Sequence, residues 1–241
     1  MSGHSKWSQI KRQKGVTDSR RASIFTKLSK AIAVAARNGK DPGLNVHLRL
    51  AIDKARSANM PNDNVDRAIK RGAGELEGKI IEEKTYEAYG PHGVALVIHA
   101  LTDNANRTIS EIRSTLNKQN GSLGQNGSVL WSFEQKGVIR FPKEDLADTN
   151  TEKLALAAID SGAEDVQESE EGISVFTSPA NLTSLQKKLK SLGWTAPSAD
   201  LELIPKNTVP VDTKVRNRIN ALVEELEELD DVDSVYTNAQ D

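Results

Sequence analysis

The apolar residues of this 241-residue chain change their spacing near residue 84. Before that point they recur three or four positions apart, which places them on one face of a helix. After it, short apolar runs typical of strands alternate with further helical segments. The change predicts a small helical bundle followed by α/β structure. The bundle helices are expected at residues 17–38, 45–58 and 62–72, separated at Gly39 and Pro61.

One segment of the second part has the element order βαββαβ, which is the order of ferredoxin-like folds. Its strands are expected at 138–141, 165–168, 173–177 and 199–204, and its helices at 151–161 and 181–192. Before it come strands at 85–89, 94–101 and 128–133 and a helix at 106–117; after it come a helix at 212–229 and a strand at 234–237. Because the elements before and after this segment in the chain together complete one α/β domain, the segment is predicted to be inserted in that domain.

The predicted fold class is therefore α+β and multidomain, with an N-terminal small helical bundle and two α/β domains of ferredoxin-like type. The expected domains are 1–78 for the bundle, 79–136 plus 206–241 for an outer α/β domain, and 137–205 for the α/β domain inserted in it. Residues 73–84 and 206–210 are expected to be linkers. A chain of this length exceeds one typical domain, which agrees with this division.

Charge is distributed unevenly along the chain. Residues 1–71 contain sixteen Lys and Arg against five Asp and Glu, which gives a net charge of +11. Since the whole chain carries −2, the remainder carries −13. Such an asymmetry indicates contact with nucleic acid or another anionic surface. Lys and Arg neutralise phosphates and release counterions, so the predicted binding weakens steeply with added salt.

The candidate nucleic-acid-binding residues lie mostly in that basic part. Trp7 lies among four cations, where it could stack on an unpaired base; those cations are Lys6, Lys11, Arg12 and Lys14. In the alternative, Trp7 packs back on the bundle and the cations form an ordinary solvated face. The first helix adds Arg20, Arg21, Lys27 and Lys30, which are off its apolar stripe and are expected to stay solvated. The other candidates are Arg67, Lys70, Arg71 and Arg107.

Two features of the acidic part have competing interpretations. Arg107 is expected at the start of a helix, whose exposed amides could help it hold a phosphate. In the alternative, Asn104 or Asn106 simply caps that helix. Near the C-terminus the acidic residues are expected on the solvated face of the last helix, with docking on the basic part or repulsion of nucleic acid as the alternative. These residues are Glu224, Glu225, Glu227, Glu228, Asp230 and Asp231.

The sequence gives little support for an enzyme. Residues 72–79 resemble a phosphate-binding loop, but the spacing is one residue too long and Ile80 stands where Ser or Thr is required. The four histidines show no metal-ligand spacing and the chain has no cysteine. We therefore expect no catalysis, metal, cofactor or small-molecule substrate. No apolar run reaches the ~18 residues that span a bilayer, so no membrane contact and a cytoplasmic location are expected.

Motifs spread along the chain resemble the YebC/PmpR family. They lie within residues 3–7, 18–27, 59–72, 86–91, 101–108, 127–133, 162–166 and 231–236. The match follows the family order over nearly the whole chain, which makes it highly specific. Three positions depart from the family pattern: Ala88 and His92 replace common glycines, and Ala105 replaces an arginine.

The resemblance implies three domains and a regulator that binds nucleic acid and has no known catalysis. Members of the family have been described as DNA-binding transcriptional regulators. Others resemble translation factors that act at the ribosome, including a mitochondrial translational activator. The leading hypothesis is therefore a non-enzymatic, DNA-binding regulator of transcription. The alternative is a translation factor that binds ribosomal RNA or the ribosome, and a phosphate-processing enzyme is a third class.

Overall fold

The computed structural model describes residues 18–146 and 151–240, with side chains from residue 21 onward. The helices are α1 (Asp18–Ala36), α2 (Val46–Ser57), α3 (Asn62–Gly72), α4 (Ala105–Lys118), α5 (Thr151–Asp160), α6 (Leu182–Ser191) and α7 (Thr213–Glu228). The strands are β1 (Glu82–Tyr89), β2 (Ala95–Thr102), β3 (Ser122–Leu123), β4 (Phe133–Pro142), β5 (Asp165–Ser169), β6 (Gly172–Thr177), β7 (Ser198–Pro205) and β8 (Val232–Thr237). In these two ranges, no helix is both long and apolar enough to cross a membrane.

Helices α1, α2 and α3 pack around one apolar core, as the spacing of their apolar residues predicts. Its buried members include Leu28, Ile32, Leu48, Ile52 and Val65. Gly72 ends α3 where the helix comes closest to α1. A Cβ atom at Gly72 would lie 2.1 Å from the carbonyl oxygen of Ala33, so only glycine permits this packing. The predicted helical bundle is confirmed.

Asn45 fixes the connection between the first two helices. Its side-chain oxygen accepts a hydrogen bond from the Leu48 amide at 3.0 Å and thereby caps α2. Its side-chain nitrogen donates to the carbonyl groups of Ala35 and Gly39, both at 2.8 Å. One buried amide therefore satisfies backbone groups at the end of α1 and at the start of α2.

Strands β1, β2, β3 and β8 form an antiparallel sheet in the order β3-β1-β2-β8. Helices α4 and α7 supply the apolar layer that covers it, through Ile112, Leu116, Ile219 and Leu222. A second apolar contact joins the bundle to this sheet, since Ala33 of α1 packs with Ile81 and Leu101. The bundle and the first sheet therefore share buried surface.

Strands β4 to β7 form a second antiparallel sheet in the order β5-β6-β4-β7. Numbered from one to four within this segment, the strands have the order 2-3-1-4. With α5 and α6 between them, this is the βαββαβ arrangement that the sequence predicts. The predicted α+β multidomain fold is confirmed.

The chain divides into two compact units. We call residues 134–204 the inserted unit, and the described residues before 134 and from 205 onward the outer unit. The bundle and the first sheet both belong to the outer unit. The further division of the outer unit into domains 1–78 and 79–136 plus 206–241 stays a prediction.

Three local expectations about secondary structure are wrong. The strand expected at 128–133 is instead a 3-10 turn, Leu130–Ser132, and β4 begins only at Phe133. The backbone N–H groups of Val129 and Leu130 bind the side chain of Glu87 and so pair with no strand. The short strand β3 lies inside residues 121–127, where only turns were expected, and β1 begins at Glu82, inside the expected linker.

Candidate nucleic-acid interface

A crevice of about 260 Å³ lies between α1 and α3. We call it the α1–α3 crevice; its lining residues are Phe25, Thr26, Ser29, Asn64, Arg67, Ala68 and Arg71. Arg67 and Arg71 are both exposed. Their four-residue separation places them on the same side of α3. Phe25, from α1, is half-buried beneath them.

Within the crevice the hydrogen-bond donors come from α3. The hydroxyl groups of Thr26 and Ser29 donate to carbonyl groups of α1 one turn earlier, at 2.9 and 2.8 Å. Their protons are therefore used inside the helix. Arg71 donates one N–H to the Lys79 carbonyl at 3.3 Å, but a guanidinium group has five. Among the described residues, Arg67 forms no ion pair.

Two guanidinium groups beside a half-buried aromatic ring suit an anion with several oxygen acceptors. Guanidinium binds phosphate oxygens through paired N–H donors. A competing explanation is that cations near a helix C-terminus stabilise its dipole. This explanation accounts for Lys70 and Arg71, which are in the last turn of α3, but not for Arg67, which is one turn earlier. The crevice therefore has the chemistry of a phosphate site.

Part of the predicted interface lies outside the described residues. This applies to Lys6, Trp7, Lys11, Arg12 and Lys14, and to the side chain of Arg20. Their contact with nucleic acid stays a prediction. Arg21, the first residue of α1 with a described side chain, is exposed.

Lys27 and Lys30 are partly buried rather than fully solvated, contrary to expectation. Lys27 contacts the C-terminal end of α7, where helix carbonyl groups carry partial negative charge, and Lys30 contacts the segment that follows the helix. The Lys27 ammonium donates to the Glu227 carbonyl, and the Lys30 ammonium donates to the Asp230 carbonyl at 3.0 Å. Burial lowers the pKa of Lys27, against the opposite effect of nearby carboxylates, of which Asp233 is the strongest. Their position on α1 thus serves the contact between the bundle and α7.

Asp231 is the centre of a buried polar cluster rather than part of a solvated acidic face. Only 2% of the residue is exposed. Its carboxylate accepts from Lys30 at 2.6 Å, from Arg107 at 2.6 and 3.2 Å, from Thr108 at 2.8 Å and from Thr102 at 3.1 Å. We call these five residues the Asp231 cluster. They come from α1, β2, α4 and the turn before β8, so the cluster ties the bundle to the first sheet.

The charge of Asp231 is strongly stabilised by these donors. Burial alone would raise the pKa of this carboxyl group. The hydrogen bonds from Lys30, Arg107 and Thr108 outweigh burial and lower the pKa to about 2. Asp231 therefore stays ionised at every physiological pH.

Arg107 is a member of this cluster and not an open phosphate ligand. Besides Asp231, its guanidinium group pairs with Asp103 at 2.9 Å. The hydrogen bonds that it donates to these two carboxylates raise its pKa. Asn104 caps α4, since its side-chain oxygen accepts from the Arg107 amide at 3.1 Å. The capping interpretation of this junction is confirmed, and both charges next to Arg107 are negative.

A second buried carboxylate shapes the loop that precedes β4. Glu87, on β1, is 6% exposed. It accepts from the amides of Val129 and Leu130 at 2.6 and 2.7 Å, and from the amide of Gly127. Burial raises the pKa of Glu87, but these N–H donors have the larger combined effect and lower it. The carboxylate therefore fixes residues 124–132, which we call the Trp131 turn.

The Trp131 turn presents an exposed aromatic side chain that sequence reasoning missed. Trp131 is 69% exposed. The pattern Ser-Val-Leu-Trp-Ser-Phe over residues 128–133 is typical of a strand with alternate faces, and this hid the turn. The nearest sequence signal was Gly127, the last residue of the turns expected at 121–127; in the structure its φ is +83°.

The described parts of the chain contain no candidate metal site. There, no three His, Cys, Asp or Glu side chains are placed to hold a metal ion. The polar clusters around Asp231 and Glu87 consist of carboxylates already bound by protein donors. Compared with these two clusters, the α1–α3 crevice is thus the site more open to a ligand.

Two family models match the chain. Residues 5–75 match the TACO1/YebC protein N-terminal domain, and residues 81–239 match the TACO1/YebC second and third domain. A "probable transcriptional regulatory protein" of Pseudothermotoga lettingae is 49% identical over 239 residues, which are 99% of this chain and 93% of the relative. A protein also named probable transcriptional regulatory protein, from Thermotoga petrophila, is 47% identical over 99% of this chain and 93% of the relative. Another, from Geobacter sulfurreducens, is 46% identical over 99% of this chain and 95% of the relative.

A solved structure has the same fold. The crystal structure of a conserved hypothetical protein from Aquifex aeolicus superimposes with a TM-score of 0.87 at 43% identity. The match covers 98% of this chain and 96% of that one. Family models over most of the chain, and full-length relatives well above 30% identity, confirm the resemblance seen in the sequence motifs: the chain belongs to the TACO1/YebC family.

Proposed function

We propose that this protein is a non-enzymatic regulator of gene expression that binds nucleic acid through its helical bundle. The observation that carries the proposal is the α1–α3 crevice, which Arg67 and Arg71 line together. Lys70 adds an exposed ammonium group on the same helix. The N-terminal arm around Trp7, with its four cations, would extend these contacts along the phosphate backbone.

Duplex DNA is the first candidate target, since the relatives carry the name of transcriptional regulators. The second candidate is structured RNA, including ribosomal RNA. The exposed charges of α3 favour contacts to phosphates, which position a protein without reading sequence. A folded RNA is recognised largely by shape and by such backbone contacts. Because the exposed cations of α3 suit such backbone contacts, they support the RNA candidate as well as duplex DNA.

Removing both crevice arginines tests the proposal. We expect the variant Arg67→Ala/Arg71→Ala to bind nucleic acid at least about tenfold more weakly, since one hydrogen bond to a charged group contributes roughly 1.5–3 kcal/mol. For duplex DNA the slope of log affinity against log salt should fall by up to ~1.8, about 0.9 for each lost phosphate contact. Fluorescence anisotropy across a salt series measures both quantities.

A matched control removes two positive charges outside the crevice. The variant Arg56→Ala/Lys118→Ala has the same net charge, and both of its sites are exposed. It should keep most of the wild-type affinity for nucleic acid. Its slope of log affinity against log salt should stay steeper than that of the crevice variant. An equal loss in the two variants would show that overall charge, rather than the crevice, holds the nucleic acid. Circular dichroism should show intact helices in both, because alanine is the best helix former.

Competition between labelled duplex promoter DNA and purified ribosomes separates the two targets. The crevice variant should lose affinity for the physiological target and the control pair should not. If ribosomes displace the DNA by orders of magnitude near physiological salt, the protein is a translation factor. If one duplex resists both ribosomes and scrambled DNA, the protein is a transcriptional regulator.

A further inference from the structure

The Trp131 turn is rigid because several hydrogen bonds converge on it. Besides the three amides bound by Glu87, the Gly124 amide donates to the Glu87 carbonyl at 2.8 Å. The Ser132 hydroxyl group donates to the Val129 carbonyl at 2.6 Å. Val129 is buried, with 3% of its surface exposed. A turn that is fixed this way loses little conformational entropy when it binds a ligand.

Three neighbouring apolar side chains of this region are open to solvent. Trp131 is 69% exposed, Leu130 39% and Tyr89 36%. The polar atoms of both rings are already directed at one acceptor: the Trp131 indole N–H donates to the Ser128 carbonyl at 3.1 Å, and the Tyr89 hydroxyl donates to it at 3.4 Å. Trp131 thus needs no further hydrogen-bond partner, and what it offers to a ligand is the apolar face of its ring.

A positive charge is held at the backbone of Trp131. The Lys206 ammonium donates to the Trp131 carbonyl at 2.8 Å, and the Lys206 amide donates to the Ser132 carbonyl at 2.8 Å. Lys206 is nevertheless exposed. An ammonium group has three donors, so it can bind the carbonyl and an incoming anion together. An exposed aromatic ring and an exposed cation bound to the same residue's backbone match the two parts of a nucleotide, its base and its phosphate.

The small number of exposed apolar side chains favours a base over a protein as the ligand of this region. A stable protein interface buries about 800 Å² on each partner and involves about 20–30 residues per side. Two side chains of the turn and one at the end of β1 are far fewer than that. A single unpaired base, in contrast, needs only one aromatic face.

We propose that Trp131 is a stacking platform for one unpaired base of the bound nucleic acid, with Lys206 placed to contact the adjoining phosphate. The proposal rests on the proposed function, since it adds a second contact for the same ligand. A base inside a continuous duplex has no free face, so this site selects looped or single-stranded segments. It therefore predicts a preference for RNA that has unpaired nucleotides over an uninterrupted duplex.

Two RNAs of equal charge test this preference with the full-length protein. One is a hairpin with an adenosine-rich loop, and the other is a fully paired duplex with the same number of phosphates. We expect Trp131→Ala to bind the hairpin about five- to 150-fold more weakly, as for the loss of ~1–3 kcal/mol of stacking. Its affinity for the duplex should change little. Trp131→Phe keeps an aromatic face and should restore most of the hairpin affinity.

The control variant Leu156→Ala removes another apolar side chain that is 61% exposed, and it should bind both RNAs like the wild type. A direct readout comes from fluorine NMR of protein labelled with 5-fluorotryptophan. The chain has three tryptophans, and the resonance missing from Trp131→Phe belongs to Trp131. That resonance should shift with the hairpin and stay in place with the duplex.

The outcomes separate this site from the proposed function. If Trp131→Ala binds the hairpin like the wild type while Arg67→Ala/Arg71→Ala does not, nucleic-acid binding stands and the stacking site is refuted. If the wild type binds neither RNA nor DNA, both proposals fail. Self-association of the wild type that Trp131→Ala abolishes would show that the turn contacts protein instead, which also refutes the stacking site.

Discussion

Replacing Asp231 with Ala should destabilise the outer unit by about 3–5 kcal/mol, the usual cost of removing one partner from a buried charge cluster. The side chain is 1% exposed and accepts from an ammonium group, a guanidinium group and two hydroxyl groups. Without it, Lys30 keeps a positive charge in a partly buried site that has lost its carboxylate. Native-state hydrogen exchange with mass spectrometry measures the loss, and peptides from residues 134–204 provide an internal reference.

The preceding residue offers a matched control. Asp230 is exposed, and its carboxylate has one weak described contact, with the Ser23 hydroxyl at 3.5 Å. Asp230→Ala removes the same charge from the same segment, and its effect should stay within about 0.5 kcal/mol. If the two variants lose equal protection, the charge of the acidic segment matters and the buried cluster does not.

The same cluster predicts a pH dependence with a defined sign. The pKa of Asp231 is about 2 in the folded protein, below its usual value of 3.8. A group whose pKa is lowered by folding stabilises the protein above the unfolded value, and this contribution is lost as the pH falls through the folded value. At about 1.4 kcal/mol for each pKa unit, it amounts to at most about 2.5 kcal/mol.

Urea unfolding of the wild type and Asp231→Asn measures this dependence. The asparagine variant cannot titrate at this position, so the difference in midpoint between the two proteins should narrow as the pH falls from about 5 to about 2. A constant difference over that range would mean that Asp231 is not held in its ionised form by the cluster.

The spacing of apolar residues predicted the helices and strands of this fold well because each of them buries one apolar face. The order βαββαβ in 137–205 could be predicted from local patterns alone, and the second sheet has the expected strand order. Asp231 shows the limit of such patterns. Its partners Lys30 and Thr102 lie 201 and 129 residues away in the sequence. No local spacing distinguishes this buried acid from its exposed neighbours.

The sequence predicted which residues of the candidate site are cations, but not which of them face solvent. Charge counting singled out Arg67 and Arg71, which line the crevice. It equally singled out Lys27 and Lys30, which bind the end of α7 and the segment after it. All four are cations on helices with an apolar stripe. Which of them face solvent depends on where α7 ends, and that position follows from tertiary packing rather than from the bundle's own sequence.

Breaking the buried ion pair of the inserted unit should have an effect as large as the Asp231 change. Arg140 on β4 and Glu202 on β7 are 2% and 1% exposed, and the guanidinium group binds both carboxylate oxygens. Glu202→Leu leaves the arginine charge buried without its partner carboxylate, which costs about 3–5 kcal/mol. Hydrogen exchange should show the loss in peptides from 134–204, with the outer unit as the internal reference.

The double variant Arg140→Met/Glu202→Leu distinguishes a buried charge from a packing defect. Because both charges are gone, its stability should return to that of the wild type or exceed it by about 1–4 kcal/mol. A surface pair of the same unit serves as the control: Lys136 and Glu164 are 2.8 Å apart, but their side chains are 26% and 43% exposed. Glu164→Leu should cost under about 1 kcal/mol. If the double variant is as unstable as Glu202→Leu, the pair's shape rather than its charge balance holds β4 to β7.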